Sequence, residues 1–383
     1  MMNFSPTVRT AALAALLAAA IAVPARAGAP APADPAAEEL RKEVAGKGWI
    51  IIAAYADEVK AQRLLADDNP GQADLYLMRP DGSEMRNITN TADTHEFFPQ
   101  FSPDGRKIMF RRLPKDRDIE HDSVGALGSL VIAASDGSNP VACGRNREFP
   151  WATWSPDTKE IACLYQSENV IRIFNVETKK QVAEMPSQGI FQQMHWSPDG
   201  KSICGTAKVK GESWNIVAID IKTRDVKVLT RYFNCTPNWF HAGAAVVNSC
   251  RNPAWGRKGG DGKPYGNTVL VQAALADGTP ALLYADIDAH IYNGFTSPDV
   301  KYVAFHTGMS EGGTKGDPKK HRCLLIIRRA DTPIIQPGFD QLKGLYPGAK
   351  TGPVLQPRFP AGSPIVTVFV SGDWTYADIG AGK

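Results

Sequence analysis

One short turn recurs along this chain and constrains its fold more than any other feature. Phe101-Ser102-Pro103-Asp104-Gly105 leads into Lys107-Ile108-Met109-Phe110, Trp154-Ser155-Pro156-Asp157 into Ile161-Ala162-Cys163, and Trp196-Ser197-Pro198-Asp199-Gly200 into Ile203-Cys204. Thr296-Ser297-Pro298-Asp299 precedes Val303-Ala304-Phe305 in the same way. Two degenerate copies are Trp239-Phe240-His241-Ala242-Gly243 before Val246-Val247, and Phe359-Pro360-Ala361-Gly362 before Ile365-Val366. Proline fixes φ for the first central position of a β-turn, and Asp and Gly suit the positions that follow. Each copy therefore reads as a corner between two antiparallel strands.

A second strand pair follows each corner. Leu75-Tyr76-Leu77-Met78 turns at Asp81-Gly82 toward Asn87-Ile88-Thr89; Leu130-Val131-Ile132 with Asp136-Gly137, and Val269-Leu270-Val271 with Asp277-Gly278, repeat the arrangement. Four short strands in every repeat of roughly 40–60 residues are the mark of propeller blades, which bury their faces only against their neighbours. The expected fold is an all-β propeller of six blades with four antiparallel strands each. Five complete blades start near Phe97, Phe149, Phe191, Asn234 and Ile291. The sixth is expected to be composite, with carboxy-terminal strands at Val354–Phe359 and Ile365–Val370 beside amino-terminal strands at Leu75–Met78 and Met85–Thr89. Closing a ring with both chain ends removes free sheet edges. Trp49–Tyr55 is left over as a spare strand, outside the closing blade or starting a seventh, and Ala37–Val44 reads as a short helix or a frayed continuation of the leader.

The run from Asp74-Leu75-Tyr76 through Asp81-Gly82-Ser83 and Ile88-Thr89 to Phe101-Ser102-Pro103-Asp104-Gly105 resembles the WD-like repeats of TolB-type propellers. The resemblance spans about residues 48–378 and is specific for fold, weak for function. It implies a propeller that binds a protein or peptide in the bacterial periplasm or cell envelope. TolB itself carries an α/β domain ahead of its propeller, and Gly28–Lys47 is too short for one, so a strict TolB is not expected.

Arg9, the apolar run Ala11–Val23 and Pro24-Ala25-Arg26-Ala27 form the three parts of a signal peptide, with cleavage after Ala27. The expected organisation is residues 1–27 as signal peptide, 28–47 as an Ala/Pro-rich leader and 48–383 as one propeller, periplasmic or secreted. A formal net charge of +3 offers no footprint for nucleic acid. The six cysteines have no C-x-x-C spacing, which argues against structural zinc. Cys235 and Cys250 flank the hairpin at His241-Ala242 and are the candidate disulfide.

Corners and Asp-Gly turns fall on one face of such a ring; second-to-third strand loops and blade crossings fall on the other. The second face is expected to carry the long loops Leu113–Leu127, Arg251–Asn267 and Thr307–Arg322, and loops on a rigid scaffold commonly bind. The candidate ligand- or partner-binding residues lie at blade crossings: His95, Glu96, Arg147, Glu148, Gln192, Gln193, Tyr232, Asn234, His290 and Tyr292. No catalytic residue, metal ligand or cofactor is assigned. Gly308-Met309-Ser310-Glu311-Gly312 fits a nucleophile pattern, but Gly313-Thr314-Lys315-Gly316-Asp317-Pro318 cannot supply the helix that such an elbow needs. Asp116, Asp118, Glu120 and Asp122 lack the Gly and Glu of a calcium loop. The leading expectation is a monomeric, non-enzymatic binding or scaffold module for a protein partner. Its rival is a carbohydrate-binding protein, or a lyase or hydrolase of polysaccharide fragments, using the axial pocket on the loop-rich face.

Overall fold

The repeated corners close by the same bonds in every full copy. The amide of Ser102, Ser155, Ser197 and Ser297 donates to the carbonyl five residues on, at 2.7–2.9 Å, and the serine hydroxyl donates to the Asp at 2.6–2.7 Å. The hydroxyl also accepts the amide five residues on at 2.9–3.0 Å. That same Asp accepts the amide two residues after it at 3.0–3.2 Å. The Ser155 and Ser197 hydroxyls hold the Asp157 and Asp199 carboxyls below their ordinary range. All polar groups of the turn are thus answered within six residues, which is why so short a motif forms without help from the rest of the chain.

The residue after the Asp is left-handed in every copy: Gly105 at φ 67°, Thr158 at 64°, Gly200 at 76° and Val300 at 54°. A β-branched side chain is strained there. Thr158→Gly is therefore expected to stabilise the protein by about 1 kcal/mol, read as a higher urea midpoint at unchanged slope. Val300→Gly should gain less, because Val300 packs against the core between blades four and five.

The computed structural model describes residues 34–55, 73–114, 128–143, 151–208, 214–230, 234–240, 243–258, 264–278, 280–285, 289–309, 322–330, 353–360, 362 and 365–379. Within them, only the backbone is described for 251–267, 289, 290, 292, 308, 309, 322, 323, 366 and 368–371. The chain opens with α1 (Pro35–Val44), β1 (Trp49–Tyr55), β2 (Ala73–Met78) and β3 (Arg86–Asn87). Blade one is β4 (Thr94–Phe101), β5 (Lys107–Pro114), β6 (Ser129–Ala134) and β7 (Val141–Cys143). Blade two is β8 (Trp151–Trp154), β9 (Glu160–Tyr165), β10 (Val170–Asn175) and β11 (Gln181–Pro186). Blade three is β12 (Ile190–Trp196), β13 (Ser202–Lys208), β14 (Trp214–Asp220) and β15 (Val226–Val228). Blade four is β16 (Asn234–Trp239), β17 (Ala245–Lys258), β18 (Pro264–Ala274) and β19 (Pro280–Tyr284). Blade five begins with β20 (Ala289–Thr296), β21 (Tyr302–Met309) and β22 (Arg322–Arg329); along its outer edge Ile327 bridges Leu355, and Arg322–Leu324 pair with the start of the carboxy-terminal strand at 366–368. Blade six is β23 (Val366–Thr375) innermost, then β1, β2 and β3. The result is an all-β ring of six four-membered antiparallel blades.

Three details differ from the sequence expectation. Trp49–Tyr55 is not spare: it is the second strand of the closing blade, paired with β23 on one side and β2 on the other. All seven of its residues are buried, as a strand covered on both faces requires. The Val354–Phe359 segment belongs to blade five, not six; Pro353, Pro357 and Pro360 leave too few amide donors for a ladder beyond Leu355. The closing blade therefore takes one strand from the carboxy terminus and three from the amino terminus. Arg251–Asn267 is also no open loop, since β17 and β18 extend through most of it, with Arg257 opposite Tyr265.

The expected helix is present as α1, and its Leu40 and Val44 are wholly buried against blade six beside Ile50, Ile52 and Trp374. Glu43 on the same helix pairs with Arg329 of blade five. Among the described residues no helix is long and apolar enough to cross a membrane.

Candidate functional site

One side chain per blade reaches the ring axis, in five blades from two positions before a corner and in the sixth from β23. These are Gln100, Thr153, His195, Asn238, Phe295 and Asp373. They are carried by the innermost strands, and at four of the six seams the adjacent aromatic residue bonds to the preceding blade. The Trp154 and Trp239 indoles donate to the Gln100 and His195 carbonyls at 3.4 and 2.9 Å. The Trp196 amide donates to the Thr153 hydroxyl at 3.1 Å. At the ring closure the Phe101 amide donates to Asp373 Oδ2, and the Trp374 amide to Oδ1, both at 2.8 Å.

Bulges on the inner strands widen this arrangement. Register breaks fall between Phe97 and Gln100, Gln192 and Met194, Cys235 and Asn238, and Tyr292 and Phe295. Phe98, Thr236 and Asn293 take positive φ there. Bulges re-aim side chains at functional sites, and here Phe98, Pro99, Gln193, Pro237 and Asn293 come to line an axial cavity of about 70 Å³. Through Gln100, His195, Asn238 and Asp373 that cavity adjoins a mouth of about 480 Å³ on the corner face. Corner prolines Pro103, Pro156, Pro198 and Pro298, with Tyr376, wall the mouth.

Burial sets the charge state of the axial groups. It drives His195 down to about 4, so this imidazole is neutral at neutral pH; its Nδ1 meets Gln100 Nε2 at 3.0 Å and accepts from it. Burial pushes Asp373 up to about 7 against the two amide donors. Arg111, also on the cavity wall, is lowered by burial to about 10 and donates from Nη2 to the Gly128 carbonyl at 2.9 Å. The amide oxygens of Gln100 and Gln193 are buried with no hydrogen-bond partner.

The structure distributes the ten sequence-derived candidates differently. Gln193 lines the axial cavity, and Gln192 is half-buried beside it on β12. His95 is buried, its Nδ1 accepting the Ala73 amide at 3.2 Å. Glu96 is wholly buried and accepts from Thr94 at 2.7 Å, Thr91 at 2.8 Å and Arg112 Nε at 2.8 Å. Burial raises its carboxyl, and those donors oppose the rise. Asn234 donates to Asn248 at 2.7 Å, between β16 and β17. His290 and Tyr292 pair through their backbones with Gly308 and His306, while Arg147, Glu148 and Tyr232 lie outside the described residues. Cys235 stands opposite Ser249, and Cys250 opposite Asn234. The register thus offsets the two cysteines by one residue across the ladder. Gln100, His195, Asn238 and Asp373 escaped the sequence reading; stepping back two residues from the corners would have found the first three, while Asp373 precedes none of the six corner copies.

The family-like residues in blade six prove to be internal braces. Asp74 accepts from Thr89 at 3.1 Å, from the Thr91 amide at 3.2 Å and from Asn87 at 3.0 Å, while the Leu75 amide donates to Thr89. Thr230 accepts the Ile216 amide at 2.9 Å in the matching place of blade three.

This ring and its axial site define the chain as a TolB-like six-bladed β-propeller. The fold is similar to that of TolB from Acinetobacter baumannii, with a TM-score of 0.55 and 16% identity over 85% of this chain and 66% of that one. It is also similar to a TolB-type protein from Agrobacterium tumefaciens, at 0.50 and 15% identity over 85% of this chain and 97% of that one. Hydrazine synthase from Kuenenia stuttgartiensis matches at 0.50 and 15% identity over 80% of this chain and 90% of that one. The chain thus spans just under two thirds of the Acinetobacter protein and nearly all of the Agrobacterium one. No protein-family profile and no curated protein matches the sequence. At such identities the likeness is one of fold, and the same fold carries both TolB and an enzyme.

Proposed function

We propose that this propeller is a non-enzymatic binding module for a protein partner in the periplasm or cell envelope, and that a segment of the partner enters the axial mouth on the corner face. One observation carries the reading: a mouth of about 480 Å³, walled by four corner prolines and floored by polar groups on the axis. Its size is within the range of ligand-holding sites, about 300–1,000 Å³. The corner backbones already spend their donors and acceptors within the turns, so the wall is preformed and little ordering is needed on binding. The fold likeness to TolB agrees with a protein partner. Export rests on the run Ala11–Val23 followed by Pro24-Ala25-Arg26-Ala27.

The test is site-specific photo-crosslinking in an envelope extract. A crosslinking residue replaces the exposed Lys201 at the rim of the third corner or, as a control, the exposed Val182 on the outer edge of blade two. One reproducible protein adduct from Lys201, absent from Val182 and lost when Asn238→Trp fills the mouth, is the expected result. No adduct, or equal adducts from both positions, overturns the reading. Retention of a neutral oligosaccharide at the same mouth would favour the carbohydrate alternative.

A further inference from the structure

We propose that the axial cavity binds an N–H-rich organic cation, the ammonium or guanidinium of a basic side chain, with Asp373 and the amide oxygens of Gln100 and Gln193 as its acceptors. This rests on the reading that a partner segment enters the mouth, and it names the group at that segment's tip. Gln100 commits Nε2 to His195 Nδ1, which leaves its oxygen without a donor, and Gln193's oxygen is in the same state. A buried acceptor left unmade costs about 1–3 kcal/mol, so two in one cavity call for an occupant that supplies donors. His195 cannot supply a charge, because burial keeps it neutral.

Asp373 adds a carboxylate on the same wall. Its oxygens take one backbone amide each, which leaves further lone pairs, and its elevated proton affinity shows that the cavity does not compensate its charge. A cation alongside would restore the ionised form. Aromatic rings form part of the remaining wall, beside Met109, Leu130 and Met194: Phe98 and Trp151 pack with ring centroids 4.8 Å apart, and Phe295 lines the same space. Ring faces attract cations once water is excluded, and an alkyl stem suits such walls where a hydrated metal ion does not. A volume of about 70 Å³ takes the end of a side chain and not a larger ligand. Arg111 is the opposing charge on the wall, but its Nη2 is turned to the Gly128 carbonyl.

The probe is n-butylammonium, with n-butylguanidinium as a second cation and n-pentanol as a neutral alcohol one carbon longer than the ammonium, titrated into the mature chain and followed by NMR of the indole protons. Millimolar binding of both cations is expected, with n-pentanol at least about tenfold weaker. Asp373→Asn should weaken the cations about tenfold, and Gln193→Leu several-fold, with n-pentanol unchanged in both. Gln193→Leu keeps the test decisive if the Asp373 variant fails to fold. Equal binding of n-pentanol, cation binding unchanged in either folded variant, or no binding by the parent overturns the proposal. Displacement of the ammonium by micromolar calcium would overturn the organic-cation assignment. Crosslinking through Lys201 is read separately: a partner captured undiminished by Asp373→Asn leaves the binding module standing while the cation site falls.

Discussion

Gly105→Ala is expected to destabilise the protein far more than Gly200→Ala, although both glycines hold the same place in the same corner. Their φ values are 67° and 76°, so an alanine pays the left-handed cost at either position. That cost is about 1–2 kcal/mol. At Gly200 the added methyl would meet nothing nearer than Pro156 Cγ at 3.6 Å, an ordinary contact. At Gly105 it would fall 2.0 Å from the Ala377 Cβ and 3.0 Å from the Thr375 hydroxyl. Ala377 and Thr375 belong to the segment that closes the ring. Trp374 in that segment is buried, donates its indole to the Lys47 carbonyl at 2.8 Å and stacks on Tyr302 with centroids 6.0 Å apart. Ile379 completes it by packing into the core between blades six and one.

The segment cannot move away from Gly105 without giving up these contacts, so a total cost of about 2–5 kcal/mol is expected for Gly105→Ala against about 1–2 for Gly200→Ala. Chemical denaturation of both variants measures the difference. Equal losses would mean that the carboxy-terminal segment does not latch blade six to blade one.

The second large effect is on pH dependence. Asp373 keeps its proton in the folded protein up to about pH 7, whereas its ordinary value is 3.8. Between those values the folded state binds more protons than the unfolded one, so this group's contribution to stability falls as pH rises through that window. His195 and His306 act with the opposite sign. Burial lowers them to about 4 and 3 from 6.5, so their contribution is complete above 6.5 and is lost as pH falls toward those lower values. The parent's stability curve therefore superposes two opposing slopes. The difference between parent and Asp373→Asn cancels the histidines, and also the buried Glu96, which both proteins retain.

That difference should shift in favour of the asparagine variant by on the order of 2–4 kcal/mol between about pH 4.5 and about pH 8. Urea denaturation across the range checks it. Parallel curves would show that Asp373 ionises in the folded protein as readily as in the unfolded chain.

What could be read from the sequence was what the chain builds locally. Ser-Pro-Asp-Gly satisfies its own donors and acceptors within six residues, so four copies announced four corners, and their spacing announced the blades. Helix α1 was legible for the same reason. The tertiary structure decided whatever depends on partners distant in the chain. Trp49–Tyr55 carries no alternation, so only its pairing with both chain ends shows it to be an inner strand of the closing blade. The candidate pair Cys235 and Cys250 looked opposed across a hairpin, but a bulge between Cys235 and Asn238 lies in that ladder, and the register sets Cys235 against Ser249. His95, Glu96 and Asn234 stand out in the sequence as polar residues at blade crossings; that they are buried and hydrogen-bonded to other strands and loops could be seen only in the folded ring. Asp373 becomes distinctive only where Phe101, 272 residues away, presents its amide. A turn motif fixes its few residues by bonds it contains, while an axial site is assembled by six strands that meet only when the ring closes.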